Sequence, residues 1–446
     1  MTSLRLFVAT LLIGSMTAAD AFTFPRRAVT WNLPMQSDCS VIAATSSLSS
    51  SLTPDDAQRT IIEDMLLHMT SFFVDMVDDV DDGHSRFYYR CIPPTGERHH
   101  HHMPVRDLAA AWDATKALTF LQNHQLSGNT RSNSHDDEVM RQRLTSAVHG
   151  TLQAYNQSHF IVGDGDTLAL DPDILQETPN IAHSALMIMA SAGAQRVSIF
   201  QDGERLSIDG LVRGILSMQR PSDGAFRIEF GDNCSASGDV YRGIDFFPGE
   251  AMLALMDAYH LSEQYDGILD TSTRDAIVPS MERAFVFYCD YYHQRNADVN
   301  YNIWQIQAYA KFFDTLDRTG RSEHARLLAT HILCMCQDVI NSKAWKYELS
   351  RGCSFYTNLN TVEIVCGLDA LADGIRIALA IDDGQMAALL QRNARNAICF
   401  IQWMQDQVPF NSPAGYGGLG YGGVRVLEQR LDVTGHAISA LTKLLR

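Results

Sequence analysis

The amino-acid sequence predicts an all-α fold, an (α/α)6 toroid in which six helical hairpins surround a central cleft. Three observations support this prediction. Helical periodicity continues almost without interruption from about residue 54 to residue 446. One type of helix start recurs six times along that stretch. Strand-like alternation of apolar and polar residues is rare and short.

Apolar residues spaced three or four apart predict twelve helices with brief connections, a pattern typical of α/α architectures. The predicted helices are Ile61–Met76, Leu108–Leu121, Asp137–Tyr155, Asn180–Gly193, Ile208–Met218, Gly249–Gln264, Thr273–Asp290, Asn302–Asp317, Ser322–Asn341, Asn360–Ala380, Gly384–Gln407 and Asp432–Leu445. Short strand-like alternation is confined to residues 86–90, 196–200 and 226–230.

Every second helix begins with a polar or aromatic group and continues with small apolar residues. The recurring markers are Trp112, His183, Glu250, Trp304, Glu363 and His436, at intervals of 71, 67, 54, 59 and 73 residues. A unit of this size cannot bury its apolar face alone, so it must stack on its neighbours. We therefore expect six inner helices, small residues such as Ala185 and Ala251 at their contacts, and polar helix starts that meet at one mouth of the ring.

The composition limits the class of partner. The chain has 52 acidic and 35 basic residues and a net charge of −17. A surface of this charge repels nucleic-acid phosphates and anionic lipid, which disfavours both as partners. A small-molecule or oligosaccharide substrate remains compatible with it. Apolar residues make up 46% of the chain, enough for a large core.

The first residues predict a targeting segment. A short basic start and an apolar stretch, Leu6–Met16, precede a small-residue cleavage pattern at Ala19-Asp20-Ala21, so residues 1–21 are interpreted as a signal peptide. Residues 22–53 are Ser-rich and transit-like. The junction ending in Phe22 resembles the bipartite plastid presequence of diatoms, so secreted and plastid destinations both stay open. Residues 54–446 are expected to form a single domain without a transmembrane segment.

The sequence gives no metal or cofactor signature. Cys289, Cys334, Cys366 and Cys399 lie in apolar helical stretches and are interpreted as buried thiols, and no Cys-x-x-Cys pair occurs among the nine cysteines. Cys334 and Cys336 would point to nearly opposite sides of a helix. The acidic run 78–82 and the histidine run 99–102 are interpreted as exposed loops. We therefore predict neither a metal nor another cofactor.

Four segments resemble the six-hairpin carbohydrate-active superfamily, which includes glycosidases and N-acylglucosamine 2-epimerases. They are Asp223–Phe226, Phe247–Leu255, Asn302–Ala308 and Arg430–Leu441, and the likeness extends as a pattern over roughly residues 60 to 446. The resemblance implies a glycoside hydrolase-like or sugar epimerase-like enzyme with acid–base chemistry in a central cleft. Prenyltransferases and terpenoid cyclases share the toroid, so a terpenoid- or prenyl-handling protein or a non-catalytic binding toroid is the alternative.

Glycoside chemistry needs two carboxyl groups across a cleft. Glu250 and Glu363 are the first predicted pair, because each lies near the start of an inner helix among neighbours that would raise a carboxyl pKa. Asp432 and His436, four residues apart, are the other predicted catalytic groups, and a histidine there could move a proton. The predicted substrate-binding residues are Trp112, His183, Tyr241, Trp304, Tyr356, Tyr416 and Arg430.

Overall fold

The computed structural model describes residues 56–78, 86–100, 103–126, 134–162, 167–171, 173, 179–200, 207–230, 243–295, 299–351, 356, 359–406, 414–421 and 428–446. The predicted signal peptide (1–21), the Ser-rich segment (22–53) and Tyr241 lie outside these residues.

Twelve α-helices form in the described ranges, one for each predicted helix. Six of them, at the odd positions in the chain, are outer helices: α1 Asp56–Asp75, α3 Ser134–Asn156, α5 Ile208–Ser217, α7 Thr271–Arg295, α9 Ser322–Asn341 and α11 Gly384–Gln405. The six between them are inner helices: α2 Pro104–Leu126, α4 Ile181–Arg196, α6 Phe247–Gln264, α8 Val299–Arg318, α10 Thr361–Ala380 and α12 Leu431–Leu444.

The inner helices form a closed ring. Each packs against the next in the order α2, α4, α6, α8, α10, α12, and α12 packs against α2. Each inner helix also packs on an outer helix of its own hairpin, and α1 lies against α12. This arrangement confirms the predicted all-α toroid. Across the described residues, no helix is both long and apolar enough to cross a bilayer.

Small residues allow the inner helices to approach closely, as the sequence predicted. Ala185 and Ala251 are fully buried. A Cβ atom on Gly249 of α6 would lie 2.5 Å from the Cβ of Trp304 on α8. A Cβ on Gly435 of α12 would collide with the carboxylate of Asp113 on α2. Larger residues at these two glycines would therefore force the helices apart.

The strands are short, and one of the sheets joins an early segment of the chain to the start of α12. They are β1 Val77–Asp78, β2 Arg86–Phe87, β3 Arg90–Ile92, β4 Glu97–His99, β5 His159–Ile161, β6 Leu168–Leu170 and β7 Gln429–Arg430. β1 pairs with β2 and β5 with β6, and β3 is the centre of an antiparallel sheet ordered β4-β3-β7. In that sheet Arg90 pairs with Arg430 and Cys91 with Gln429, which fixes the entry to α12.

Two of the three predicted strand segments need correction. Residues 86–90 do contain β2 and the first residue of β3. The prediction for 196–200 is wrong, because α4 continues to Arg196 and Ser198 turns the chain with φ 58°. Residues 226–230 form isolated bridges from Phe226 to Gln219 and from Glu229 to Asn180, and no strand.

A buried charge cluster ties three adjacent inner helices together. Asp257 on α6 is only 2% exposed. Its Oδ1 accepts hydrogen bonds from Lys311 of α8 at 2.7 Å and Arg196 of α4 at 3.0 Å. Burial alone would raise the pKa of Asp257, but the two cations outweigh it and hold that pKa below its usual range.

We expect Asp257→Ala to lower the free energy of unfolding by about 3 kcal/mol at pH 7, because two cations lose their buried partner. The pKa of Asp257 is lower in the folded state than in the unfolded state. Its contribution to the free energy of unfolding is therefore present above pH 3.8 and is lost as the pH falls through the lower pKa of the folded state. Urea unfolding at pH 7 and in acid measures both effects. Asp314→Ala, which removes an exposed ion pair with Arg376 on the same ring, is the control and should cost less than about 1 kcal/mol.

Candidate functional site

The three-stranded sheet brings two distant parts of the chain to the mouth of the ring. The amide of Leu431 donates to the carbonyl of Tyr89 at 3.1 Å, at the first turn of α12. The hydroxyl of Tyr89 then donates to Oδ2 of Asp432 at 2.7 Å. Arg106, in the first turn of α2, donates to the same oxygen at 2.5 Å. Asp432 is therefore held by two donors from two different elements.

Glu250, in the first turn of α6, is the most perturbed carboxyl group at this mouth. It is 6% exposed, and its Oε2 has no hydrogen-bond partner among the described residues. Burial raises the pKa of Glu250 to about 7, and the positive charge of Arg106 opposes this only in part. A carboxylic acid with this pKa is about half protonated at pH 7, whereas an ordinary glutamate is almost fully ionised there. We refer to Tyr89, Arg106, Glu250, Arg430 and Asp432 as the mouth cluster.

Arg430 is placed at the mouth but is already engaged. Its guanidinium lies 3.4 Å from the centroid of the Tyr421 ring and 5.7 Å from that of Tyr89. Its Nε donates to Glu428 at 2.6 Å. Arg430 therefore lies beside Tyr89, which also contacts Asp432, and the charge of Arg430 is paired with that of Glu428.

An aromatic layer lies on the ring axis and joins three inner helices. The rings of Trp112 on α2 and Trp304 on α8 stack with centroids 5.9 Å apart, and His436 on α12 meets Trp304 edge-on at 5.6 Å. Lys116 places its ammonium 3.2 Å from the centroid of Trp112 and pairs with Asp113 at 2.8 Å. The structure thus brings together three of the residues that the sequence singled out: Trp112, Trp304 and His436.

Asp369 on α10 is the buried anion next to this layer. Its Oδ2 lies 3.7 Å from Nδ1 of His436. Its Oδ1 accepts hydrogen bonds from Lys443 at 2.7 Å and Ser439 at 3.0 Å, both on α12. Burial would raise the pKa of Asp369, but the Lys443 ammonium outweighs it and holds that pKa below its usual range. Asp369 is therefore a permanent negative charge beside His436.

Two predicted substrate-binding residues have packing or capping contacts. His183 is fully buried, and its Nδ1 accepts from the Asn180 amide at 3.2 Å, which completes a capping box at the start of α4. Tyr356 is buried edge-on against Phe400 and Trp403 of the outer helix α11. These contacts stabilise the wall and leave little of either side chain for a ligand.

Tyr416 and Glu363 also face outer helices. The hydroxyl of Tyr416 lies 3.0 Å from Nε2 of His68 on α1. Oε1 of Glu363 accepts a long hydrogen bond, 3.5 Å, from Ser342 at the end of α9. The structure thus associates Glu250 with Arg106 and the mouth cluster, and the pairing of Glu250 with Glu363 stays a prediction.

Sequence reasoning missed several of the groups that surround the site. Arg106, Asp113 and Lys116 on α2, and Asp369 and Lys443 on α10 and α12, all face other inner helices. The available signal was a polar residue every three or four positions on helices that are otherwise apolar. On α12 this stripe comprises Asp432, His436, Ser439 and Lys443.

A cavity of about 560 Å³ lies toward the other end of the inner helices. Its walls include Gln307 and Lys311 of α8, Asp373 and Arg376 of α10, and Lys443 of α12. No described residue of the predicted site lines it. The cavity is therefore separate from the mouth cluster, although Lys443 connects it to Asp369.

Comparison with known proteins assigns no family. No family model matches the chain, and no curated protein matches it significantly. A solved structure found to be similar is described as the crystal structure of an unsaturated glucuronyl hydrolase specific for heparin. It matches with a TM-score of 0.49 and 11% sequence identity, over 86% of this chain and 97% of that chain. Likeness at this level does not assign an activity to this chain.

Proposed function

We propose that the protein is a carbohydrate-active enzyme that carries out acid–base chemistry of the glycoside hydrolase type at the mouth of the ring. The observation that carries this proposal is Glu250, a buried carboxyl group whose pKa is raised to about 7. The charge of Arg106 acts on Glu250, and Arg106 also binds a second carboxyl group, Asp432. Glycoside hydrolysis requires two carboxyl groups, one of which has a raised pKa and acts as the acid.

In this proposal Glu250 is the general acid and gives its proton to the oxygen of the departing sugar. Asp432, or His436 one turn deeper on α12, takes a proton from the water that attacks the sugar carbon. The products are two free sugars; the base then releases its proton to solvent, and Glu250 takes one up from solvent. Trp112 and Trp304 stack on each other and are only 6% and 8% exposed, so a sugar would reach only the part of each ring that stays exposed.

A second candidate reaction, sugar epimerisation, is supported by the pair formed by His436 and Asp369. The buried negative charge of Asp369 lies 3.7 Å from the imidazole of His436, which favours a histidine that takes and returns protons. Product analysis separates the two reactions. Hydrolysis creates new reducing ends, whereas epimerisation in D₂O adds deuterium to a sugar carbon without cleavage.

The charged ring axis weighs against the alternative of a prenyl-handling toroid. A prenyl site is deep and mostly apolar, whereas Asp113, Asp369 and Lys116 all lie at the centre of this ring. Burying such groups next to a hydrocarbon chain is costly. The axis favours a ligand that has many hydroxyl groups.

A thermal-shift screen tests the substrate class. We expect sugars or uronic acids to raise the melting temperature of the domain of residues 54–446, because a ligand that binds the native state stabilises it. Prenyl diphosphates are the opposing arm of the screen. Stabilisation by prenyl diphosphates alone would overturn the carbohydrate proposal.

Glu250→Gln should lower kcat on the substrate found in this way by about 100-fold or more, the usual contribution of a general acid. In the wild type, kcat/KM should fall as the pH rises through about 7, because Glu250 then loses its proton. Glu363→Gln tests the predicted pairing with Glu250: a similar loss of activity would support Glu363 as the second carboxylate, and retained activity would leave Asp432 in that role. Full activity of Glu250→Gln would exclude Glu250 as the acid.

Glu250→Gln should also make the folded state more stable at alkaline pH. The folded-state pKa of Glu250 is raised, so its favourable contribution is present below pH 4.5 and is lost as the pH rises through about 7. Glu250→Gln removes this loss and should be more stable than the wild type by up to roughly 3 kcal/mol at pH 8. Urea unfolding at pH 8 and pH 4.5 measures the difference. Equal stability at pH 8 would contradict the buried-acid assignment.

We also propose that the chain enters the secretory pathway and loses residues 1–21. A mature amino terminus at Phe22 in protein isolated from its source would support signal cleavage. An intact Met1 in that protein would exclude it.

A further inference from the structure

Two outer helices carry a cluster of metal-binding residue types that shares no residue with the mouth cluster. Cys289 and His293 lie four residues apart on α7, and His331 lies on α9. One ligand atom from each of the three residues lies within 4.8 Å of the other two. We call these three residues the outer-wall cluster.

The spacing within the outer-wall cluster suits a tetrahedral ion. The sulfur of Cys289 lies 3.7 Å from Nδ1 of His331. Zinc bonds of about 2.3 Å to sulfur and about 2.05 Å to nitrogen, at a tetrahedral angle, place those two atoms about 3.6 Å apart. Cys289 and His331 are therefore already at the spacing of two zinc ligands.

A plain hydrogen bond between the Cys289 thiol and His331 leaves two buried groups unexplained. His331 is 6% exposed, and its Nε2 has no hydrogen-bond partner among the described residues. Tyr309 of the inner helix α8 is fully buried beneath it, with ring centroids 5.8 Å apart, and its hydroxyl also lacks a described partner. His331 Nε2 and the Tyr309 hydroxyl are not hydrogen-bonded to each other, so the contact of Nδ1 with Cys289 leaves the other nitrogen of this buried imidazole without a described partner.

The cluster is also open to solvent on one side. His331 and Cys289 are buried, with 6% and 7% of their surfaces exposed. His293 is exposed, which gives an ion a path from solvent to the two buried ligands.

A fourth ligand is available on α9. Cys334 follows His331 by three residues and so lies on the same face of the helix. Its sulfur is not among the ligand atoms that lie within 4.8 Å of one another, so the side chain of Cys334 has to rotate to reach the ion. Two cysteines and two histidines are a common ligand set of structural zinc sites.

We propose that Cys289, His293, His331 and Cys334 form a structural Zn²⁺ site that fastens outer helix α7 to outer helix α9. Mixed thiolate and imidazole ligands suit zinc better than they suit magnesium or calcium, which prefer oxygen. The site lies in the wall of the ring and takes no part in the proposed sugar chemistry.

Metal titration of the reduced chain, stripped with a chelator, tests this proposal. We expect one Zn²⁺ per chain in competition with a chromogenic indicator, and a higher melting temperature with Zn²⁺ bound. Co²⁺ in place of Zn²⁺ should produce a thiolate-to-cobalt absorption band. Cys334→Ser should reduce that band by about half, because one of two thiolates is lost.

Cys289→Ser and His293→Gln should each weaken Zn²⁺ binding by at least about 100-fold, since even the loss of an outer partner costs roughly 10- to 100-fold. Cys399, which the sequence predicted to be buried, is instead exposed on α11, and Cys334 is only partly buried. Cys399→Ser is therefore the control and should bind as the wild type does. If Cys289→Ser does not fold, His293→Gln decides, because His293 lies on the surface.

Three results would overturn the site. One is the absence of stoichiometric Zn²⁺ binding by the reduced wild type. Another is wild-type affinity in both Cys289→Ser and His293→Gln. The third is a disulfide between Cys289 and Cys334 in the protein as isolated, found by mass mapping without reductant. An unchanged cobalt band in Cys334→Ser would overturn the assignment of the fourth ligand.

Discussion

The ring depends on carboxylates that are buried between inner helices and neutralised by cations from neighbouring ones. Asp257 accepts hydrogen bonds from Arg196 and Lys311, and Asp369 accepts them from Lys443. Removing any of these helices from its neighbours would leave a charge buried without a partner, which is far more costly than losing an exposed pair. The same residues therefore hold the ring closed and set the electric field along its axis.

Glu250 differs from these buried carboxylates because no cation in the described part of the chain is hydrogen-bonded to it directly. Asp369 and Glu250 are both buried on inner helices, but Lys443 bonds directly to Asp369, whereas Arg106 bonds to Asp432 and acts on Glu250 only through its field. The pKa of Asp369 is therefore held below its usual range, and that of Glu250 is raised. Carboxyl groups whose pKa values are driven apart in this way provide an acid and a fixed anion within one fold.

The sequence predicts the architecture well because the architecture follows from local periodicity. Apolar spacing gave all twelve helices of the described chain, and the recurrence from Trp112 to His436 gave the inner set. The prediction of a strand at 196–200 was wrong. This alternation of apolar and polar residues lies at the end of a helix, where the backbone of Ser198 reverses the chain. Short patterns do not separate these outcomes.

The site was less predictable because its contacts join distant parts of the chain. Arg106 and Asp432 are 326 residues apart, and neither position shows its partner in a single sequence. An aromatic residue suits a sugar site or a core equally, so Tyr356 could not be told from Trp304 before their neighbours were known. Cys289 and His293 are four residues apart on one helix, a spacing that the sequence shows, but only the fold brings His331 beside them.

The position of α12 between α10 and α2 also has a consequence for how the chain is made. Helix α2 belongs to the first hairpins to leave the ribosome, and the face that it offers to α12 is covered only after the last hairpin has been synthesised. Until then the nascent protein is an open arc with two uncovered apolar edges, a state that is prone to aggregation. Chaperones that shield such edges during translation would therefore matter more for this topology than for a bundle whose neighbours are adjacent in sequence.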